Sequence, residues 1–428
     1  MELFYVGLTF FITILIGMPI VFSLGVTSIV AIIVTKSVSF IIAPQMIRFS
    51  LTSFPLLAIP LFIFAGEIMN ASGITKSLLK LADALVGHII GGLAHVNIIA
   101  SMLFAGITGS AATDVACLGP IEISMMTENG YDRDYSTAVT VASSLVGPII
   151  PPSLIAVLMG VSANISIGAL LVAGYFPGII LGLCLMVLAY FQAKKKKYFH
   201  RKSRSSFIVL LKAFWEAIIP LMMPIIIMGG ILGGVCTATE AAAIACIYGL
   251  IIGLFVLKTL SWKQLPKLLL NASLTAAVVQ IMISMSGILG WITAVFHLAE
   301  KVTNLFMSMS NNPTIILILI NILLIFVGMF VEPAVSIIIL SPILFPLAKT
   351  IGLHPVHFGM IMSINLIIGL STPPIGGVLF IGSVVGKIPI EKLVKSFLPF
   401  YLIFIIVLLF INFIPAITTT LPKIFGFM

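Results

Sequence analysis

Charged side chains are scarce in this chain. Of its 428 residues, 8% are Asp, Glu, Lys or Arg, where an ordinary soluble domain carries about 25%. With 61% hydrophobic residues and a mean hydropathy of +1.28, that scarcity excludes a soluble globular protein and leaves a polytopic membrane protein. Cysteine is also sparse. Cys117, Cys184, Cys236 and Cys246 lie scattered in apolar sequence without paired spacing, so they read as small buried hydrophobes, with no disulfide framework. His88, His95 and His297 are isolated, and no transition-metal site is expected. HExxH, GxSxG and phosphate-loop motifs are missing, as is a matched pair of aspartates for intramembrane proteolysis. We therefore expect neither an enzyme nor an organic cofactor. The net charge of +9 does not point to nucleic acid, because seven of the 22 basic residues form one run: Lys194–Lys197, Arg201, Lys202 and Arg204. Flanked by apolar segments, that run belongs in the cytoplasm by the positive-inside rule; contact with lipid headgroups is the alternative.

Long apolar runs are what the chain has. They cover residues 3–34, 54–70, 89–106, 134–160, 165–192, 217–235, 237–258, 271–296, 313–331, 356–383 and 397–418. A spanning helix needs roughly 20 residues, so the sequence predicts an all-α membrane protein of about 11 transmembrane helices (10–12). The first run is too long for a cleavable signal and lacks a basic start, so it reads as mature sequence. Lys76–Leu85, Phe207–Phe214 and Leu260–Leu269 read as short interfacial pieces. Residues 108–127 and 332–350 are apolar but rich in Gly, Pro, Ser and Thr, and read as two re-entrant hairpins.

Residues 104–160 and 326–382 superimpose without a gap at an offset of 222. Gly106/Gly328, Pro120/Pro342, Gly130/Gly352, Gly147/Gly369, Pro151/Pro373, Pro152/Pro374 and Gly160/Gly382 then coincide. Helix breakers repeated at fixed spacing mean that one backbone break was built twice. Duplicated breaks in apolar segments are a pointer to the midplane site of a secondary transporter. The organisation is thus a first half (1–192), a basic loop (193–206) and a second half (207–428). Whether the halves are inverted or parallel depends on whether 217–235 and 237–258 are separate spans and on whether 295–310 also crosses, which the sequence leaves open.

Each proline pair removes helical donors. Pro151 and Pro152 would free the carbonyls of Gly147 and Pro148, and Pro373 and Pro374 those of Gly369 and Leu370. Ser143, Ser144 and Asn365 stand about one turn earlier. Such oxygen clusters suit a hard cation; a kink used only for packing is the alternative. The hairpins add Thr108-Gly109-Ser110-Ala111-Ala112-Thr113-Asp114 and, aligned with it, Phe330-Val331-Glu332-Pro333-Ala334-Val335-Ser336. Small residues admit close backbone approach, and half-helix N-termini attract a carboxylate. Ser110, Thr113, Asp114, Ser153, Glu332 and Ser336 are the candidate solute contacts. An acid costs roughly 3 kcal/mol or more in apolar surroundings unless paired or hydrated, so Asp114 and Glu332 either serve the site or cap a hairpin helix. Glu67 is a weaker candidate. Glu240, after Thr237, reads as a helix-capping acid, and Asn97 and Asn321 read as interhelix hydrogen-bonders.

From end to end the chain resembles the large membrane subunit of a tripartite ATP-independent periplasmic (TRAP) transporter. The resemblance rests on Ser53-Phe54-Pro55-Leu56-Leu57-Ala58-Ile59-Pro60-Leu61-Phe62, Gly91-Gly92-Leu93-Ala94-His95-Val96-Asn97 and Phe104-Ala105-Gly106-Ile107-Thr108-Gly109-Ser110. Pro151-Pro152-Ser153, Ala173-Gly174-Tyr175-Phe176-Pro177-Gly178, Thr239-Glu240-Ala241-Ala242-Ala243 and Thr372-Pro373-Pro374 add to it. It implies an inverted-repeat elevator fold with scaffold and transport domains in a bacterial inner membrane. It also implies sodium-driven import of an organic acid, a small four-helix membrane subunit and a periplasmic solute-binding protein. By resemblance, ion and solute binding fall on Ser110, Gly147, Pro148, Pro151 and Pro152, and on Glu332, Gly369, Ser371, Thr372, Pro373 and Pro374. Glu332 stands where the family often has Asp. Overall likeness favours the sialic-acid (N-acetylneuraminate) branch, with C4-dicarboxylates next. The competing readings are a stand-alone sodium/dicarboxylate symporter, an anion channel and a membrane enzyme acting through Asp114, Glu332 or Glu67.

Overall fold

A computed structural model describes residues 2–35, 39–52, 54–198, 204–374 and 376–428. Ser53 of the resemblance, and Arg201 and Lys202 of the basic run, lie outside these. The described residues form α-helices joined by short connections: α1 (Glu2–Leu15), α2 (Ile20–Thr35), α3 (Ile42–Leu51), α4 (Ala58–Ala71), α5 (Thr75–Val86), α6 (Gly92–Thr108), α7 (Ala111–Cys117), α8 (Gly119–Glu128), α9 (Arg133–Ser144), α10 (Leu154–Ala163) and α11 (Ile167–Ala173). After them come α12 (Tyr175–Lys196), α13 (Phe207–Leu232), α14 (Ala238–Ile251), α15 (Leu265–Val295), α16 (Leu298–Met309), α17 (Pro313–Phe330), α18 (Pro333–Thr350), α19 (Pro355–Gly369), α20 (Gly377–Gly386), α21 (Ile390–Phe413) and α22 (Ala416–Ile424). Among the described residues, eight helical stretches are long and apolar enough to cross a membrane. The expected spans at 134–160 and 356–383 are instead built from pairs of shorter helices, α9 with α10 and α19 with α20.

Both interruptions fall at the repeated prolines. α9 ends at Ser144 and α10 starts at Leu154; α19 ends at Gly369 and α20 starts at Gly377. The Pro151–Pro152 and Pro373–Pro374 peptide bonds are both cis. Ser153 restarts the first helix by accepting the Ala156 N–H at 3.2 Å. The two halves interlock: α10 packs on α18 of the other half, and α20 packs on α7 and α9. α9 and α19 run through the centre, with Tyr135–Ser144 and Val356–Gly369 buried throughout. Polar side chains survive there because they bond to neighbouring carbonyls, Ser136 to Asp132 O (2.9 Å), Thr137 to Arg133 O (2.8 Å) and Ser144 to Val141 O (2.8 Å), as a site without water demands.

Several boundaries differ from expectation. Residues 332–350 are not a hairpin in themselves. α18 is one 18-residue helix containing Pro342 and Pro346, and its hairpin is made with α17 across a tip at Val331–Glu332. The first hairpin likewise turns at Gly109–Ser110, with α6 as one arm and α7–α8 as the other. A proline inside a membrane helix removes one hydrogen bond, which packed neighbours tolerate, so breaker residues alone misplace the turn. The run 3–34 is two helices packed together, divided at Gly17 (φ 83°) and Pro19. Phe207–Phe214 is the start of α13, and Leu260–Leu269 runs into α15, whereas Lys76–Leu85 does form a separate amphipathic helix, α5. α13 and α14 are distinct, since Thr237 and Glu240 form a reciprocal cap at the start of α14. α4 packs against α14 and α15, and α15 also packs on α2 and α3, forming a second group of helices beside the interlocked breaks.

Candidate solute and cation site

The two hairpin tips and the two interruptions open onto one cavity of about 590 Å³, within the roughly 300–1,000 Å³ of small-molecule pockets. Thr108–Thr113 come from the first tip and Met329–Ala334 from the second. Pro148, Leu154 and Ile155 come from the first break, and Leu370, Gly377, Val378 and Ile381 from the second. α4 closes the cavity with Ile63, Gly66, Glu67 and Asn70, and α15 with Thr275 and Val279.

Glycine makes these approaches possible. Gly109 has φ +59°, and a Cβ there would stand 2.9 Å from Pro152 O. A Cβ on Gly369 would lie 2.5 Å from the backbone of Gly328. The first tip thus seats on the first break, and the arm of the second hairpin on the second. Ser110 caps α7 by accepting from the Thr113 N–H (3.4 Å) and the Thr113 hydroxyl (3.2 Å). Glu332 occupies the cap position of α18, with Pro333 following at the first helical position, but its side chain makes no capping bond. It is on the cavity wall instead.

Of the residues singled out from sequence, Ser110, Thr113, Pro148 and Glu332 reach the wall. Asp114 lies one turn along α7, 1% exposed, beside Ser101 and away from the wall. Ser336 is buried behind the second tip, its hydroxyl 3.5 Å from Val331 O. Ser153 is buried and donates to Pro148 O. Gly147, Pro151 and Pro152 are buried, while Thr372 and Pro373 are half-buried and Pro374 is exposed, so the second break is the more open.

The freed carbonyls need a correction. Three of the four expected to stand free accept a local bond: Pro148 O from the Ser153 hydroxyl, Gly369 O from the Thr372 N–H (2.9 Å) and Leu370 O from the Val378 N–H (3.2 Å). A proline removes a donor at one address, and the unwound chain brings another to it. Each carbonyl keeps a second lone pair. The Ser371 and Thr372 hydroxyls both donate to Ile368 O at 2.9 Å, leaving their own oxygens as acceptors. These are hard oxygen donors, the chemistry a small alkali cation takes.

Ser143 and Asn365, equivalent under the repeat, do the same work in the two halves. Ser143 donates to Asn97 Oδ1 (2.8 Å), while Asn97 Nδ2 donates to Thr140 Oγ1 (2.6 Å). Asn365 Nδ2 donates to Asn321 Oδ1 (2.6 Å), which also accepts from Asn412 Nδ2 (3.1 Å). Each network ties a broken helix to the first arm of its hairpin, so Asn97 and Asn321 join helices.

On the α4 wall, sequence reasoning named Glu67 as a weaker candidate and passed over Asn70. Glu67 and Asn70 are three apart, on one face of a helix, and only that spacing with their polarity hinted at a site. It also missed Glu122, buried beside Asp114 in α8. Among the described residues on the cavity wall, no Lys, Arg or His occurs. At the C-terminal end of α12, within the basic run, Lys196 pairs with Asp132 at 2.6 Å. The Lys196 ammonium and the Tyr198 hydroxyl hold that carboxyl below its ordinary range.

Paired helix interruptions and paired tips closing on one cavity define a membrane transport protein. Residues 8–417 match the family described as the tripartite ATP-independent periplasmic transporter, DctM component, and the chain belongs to that family. It is 40% identical over 409 residues to a sialic acid TRAP transporter large permease of Vibrio cholerae, covering 96% of each chain. It is 40% identical over 408 residues to an isethionate TRAP transporter permease of Oleidesulfovibrio alaskensis, covering 95% of this chain and 64% of that protein. A solved transporter from Alcanivorax borkumensis, YdaH, shares the fold at a TM-score of 0.61 and 14% identity, covering 86% of this chain and 87% of that one. The chain is therefore a multi-pass transport permease of a bacterial family rather than an enzyme.

Proposed function

We propose that this permease drives import of a carboxylate-bearing organic acid with sodium, sialic acid being favoured and C4-dicarboxylates next. One observation carries the reading: both tips and both breaks meet at a single cavity whose charged wall residues are acids. An organic anion enters such a cavity only in company with cations. Sodium ions bind at the oxygens around Gly147, Pro148, Pro151 and Pro152, and around Gly369, Ser371, Thr372, Pro373 and Pro374. They fix the tips, and the carboxylate then sits between Ser110 and the start of α18. Because both ligands favour the same closed tips, each raises affinity for the other by the same factor.

In this reading the interlocked helices form an inverted repeat that moves as one body past the α4, α14 and α15 group, as an elevator. A small four-helix membrane subunit buttresses that group, and a periplasmic binding protein delivers solute. The basic residues near Lys194–Lys197 face the cytoplasm across a bacterial inner membrane. Likeness to a sialic acid permease supports the solute, and membership of a tripartite transporter family supports the partners. The test is uptake into proteoliposomes containing the complete complex. Replacing external sodium by potassium should abolish it. Unchanged uptake would overturn sodium coupling, and currents far faster than carrier turnover would favour the anion channel.

A further inference from the structure

Among the described residues, every charged side chain on the cavity wall is an acid, and the two come from different groups of helices. Glu332 belongs to the second hairpin tip. Glu67 belongs to α4, which packs with α14 and α15. Among the described residues Glu67 has no hydrogen-bond or ion-pair partner, so its carboxylate is free to accept. Asn70 stands one turn along the same face and points its amide N–H at Cys117 Sγ, 3.1 Å away, which leaves its carbonyl oxygen as the free end. The α4 wall therefore offers two acceptors, the Glu67 carboxylate and the Asn70 carbonyl oxygen, beside one amide hydrogen of Asn70. The second hairpin tip holds the start of α18, where the N–H groups of Ala334 and Val335, after Pro333, suit an anion.

We propose that Glu67 and Asn70 are specificity-determining residues that receive hydroxyl or amide hydrogens of the solute. The site then takes a monocarboxylate carrying several such donors and turns away a second carboxylate. This rests on the transport reading above and names the substrate class of the same site. A polyhydroxy, N-acylated monoacid presents one negative group to the tip and donors to α4. A dicarboxylic acid of four carbons brings a second negative group into a cavity whose charged wall residues are acids, with no basic side chain among the described residues to meet it. Sodium offsets the first carboxylate in either case and does not distinguish the two.

Direct binding to the purified membrane complex, without the periplasmic binding protein, separates this from selection during delivery. Affinities for N-acetylneuraminate and for succinate are measured by calorimetry in saturating sodium, for wild type, Glu67→Gln and Glu67→Asp. Wild type should bind N-acetylneuraminate at least about 10-fold more tightly, the scale of one hydrogen bond to a charged acceptor. Glu67→Gln should shrink that ratio by about 10-fold, and Glu67→Asp, which keeps the charge, by less. Equal or tighter binding of succinate to wild type would overturn the proposal while leaving sodium-coupled transport in place, and needs no variant to read. A ratio unchanged in a monodisperse Glu67→Gln complex would also overturn it. If neither acid binds wild type, the transport reading falls, and this inference with it.

Discussion

The contact between Gly328 and Gly369 is the tightest test of how the second hairpin seats on its break. A Cβ added to Gly369 would lie 2.5 Å from both Cα and C of Gly328 and 2.9 Å from its oxygen. Carbon pairs prefer about 3.5–4.0 Å, so α17 and α19 would have to part by about 1 Å. The obstacle is backbone, with no flexible side chain to swing aside. Overpacking of this kind costs about 1–3 kcal/mol, and the helix-propensity gain of alanine over glycine offsets at most about 1 kcal/mol. Gly369→Ala should therefore lower stability and reduce uptake together. Gly328→Ala, whose Cβ would meet Gly369 Cα and Leu366 O at 3.1 Å, should do likewise to a smaller degree. Gly229→Ala in α13 is the control, because nothing lies within 4 Å of its added carbon; it should be neutral or stabilising. Thermal melting of the purified complex and proteoliposome uptake give both readouts. Wild-type melting and uptake in Gly369→Ala would refute the claim that backbone contact seats the hairpin.

Ser153→Ala removes both the cap of α10 and the donor to Pro148 O, and should cost about 1 kcal/mol or more by thermal melting, with Ser153→Thr recovering most of it. Asp132→Asn removes the pair with Lys196. Because the folded carboxyl titrates below its unfolded value of about 3.9, the stabilisation is full above that pH and fades as pH falls through the lower folded value. The Asp132 side chain is 60% exposed, so the loss at neutral pH should stay below about 1 kcal/mol. Melting of wild type and variant should draw together as pH falls from about 4 through that lower folded value, and a gap that does not narrow over this range would show that the ion pair is not its cause.

The repeat was readable where matched residues act alike, as the two proline pairs do in interrupting a helix and Gly130 (φ 84°) and Gly352 (φ 81°) do in turning the chain. Gly106 lets Pro151 O approach to 3.4 Å of an added carbon, and Gly328 admits Gly369 in the other half. Those acts need no knowledge of the partner helix; a missing side chain or a missing N–H is visible in the sequence itself. The turns were harder. Pro342 and Pro346 look like Pro151 and Pro152 on paper, yet they sit inside an unbroken helix, because whether a proline ends a helix depends on the packing around it. Residues 3–34 read as one run because hydropathy does not register the bend at Gly17 and Pro19.

The same limit explains the site. Ser110 and Glu332 were legible because they sit at tips, where small residues and an acid interrupt apolar sequence. Asp114 carries the same signal, but one turn along α7 it is buried beside Ser101, behind the wall. Ser143 and Asn365 carry the polarity of ligands and spend it on Asn97 and Asn321. For the carbonyls, sequence names the donor that proline removes and is silent on the donor that replaces it. Ser153 follows Pro152 directly, so the residue that restarts the helix also refills the acceptor the prolines vacate. A cation at Pro148 O must therefore share that oxygen with a hydroxyl or displace it, a competition worth about 1 kcal/mol for an ordinary hydrogen bond. In the proposed sodium reading, that modest margin would let the break stay ordered without an ion and still yield to one.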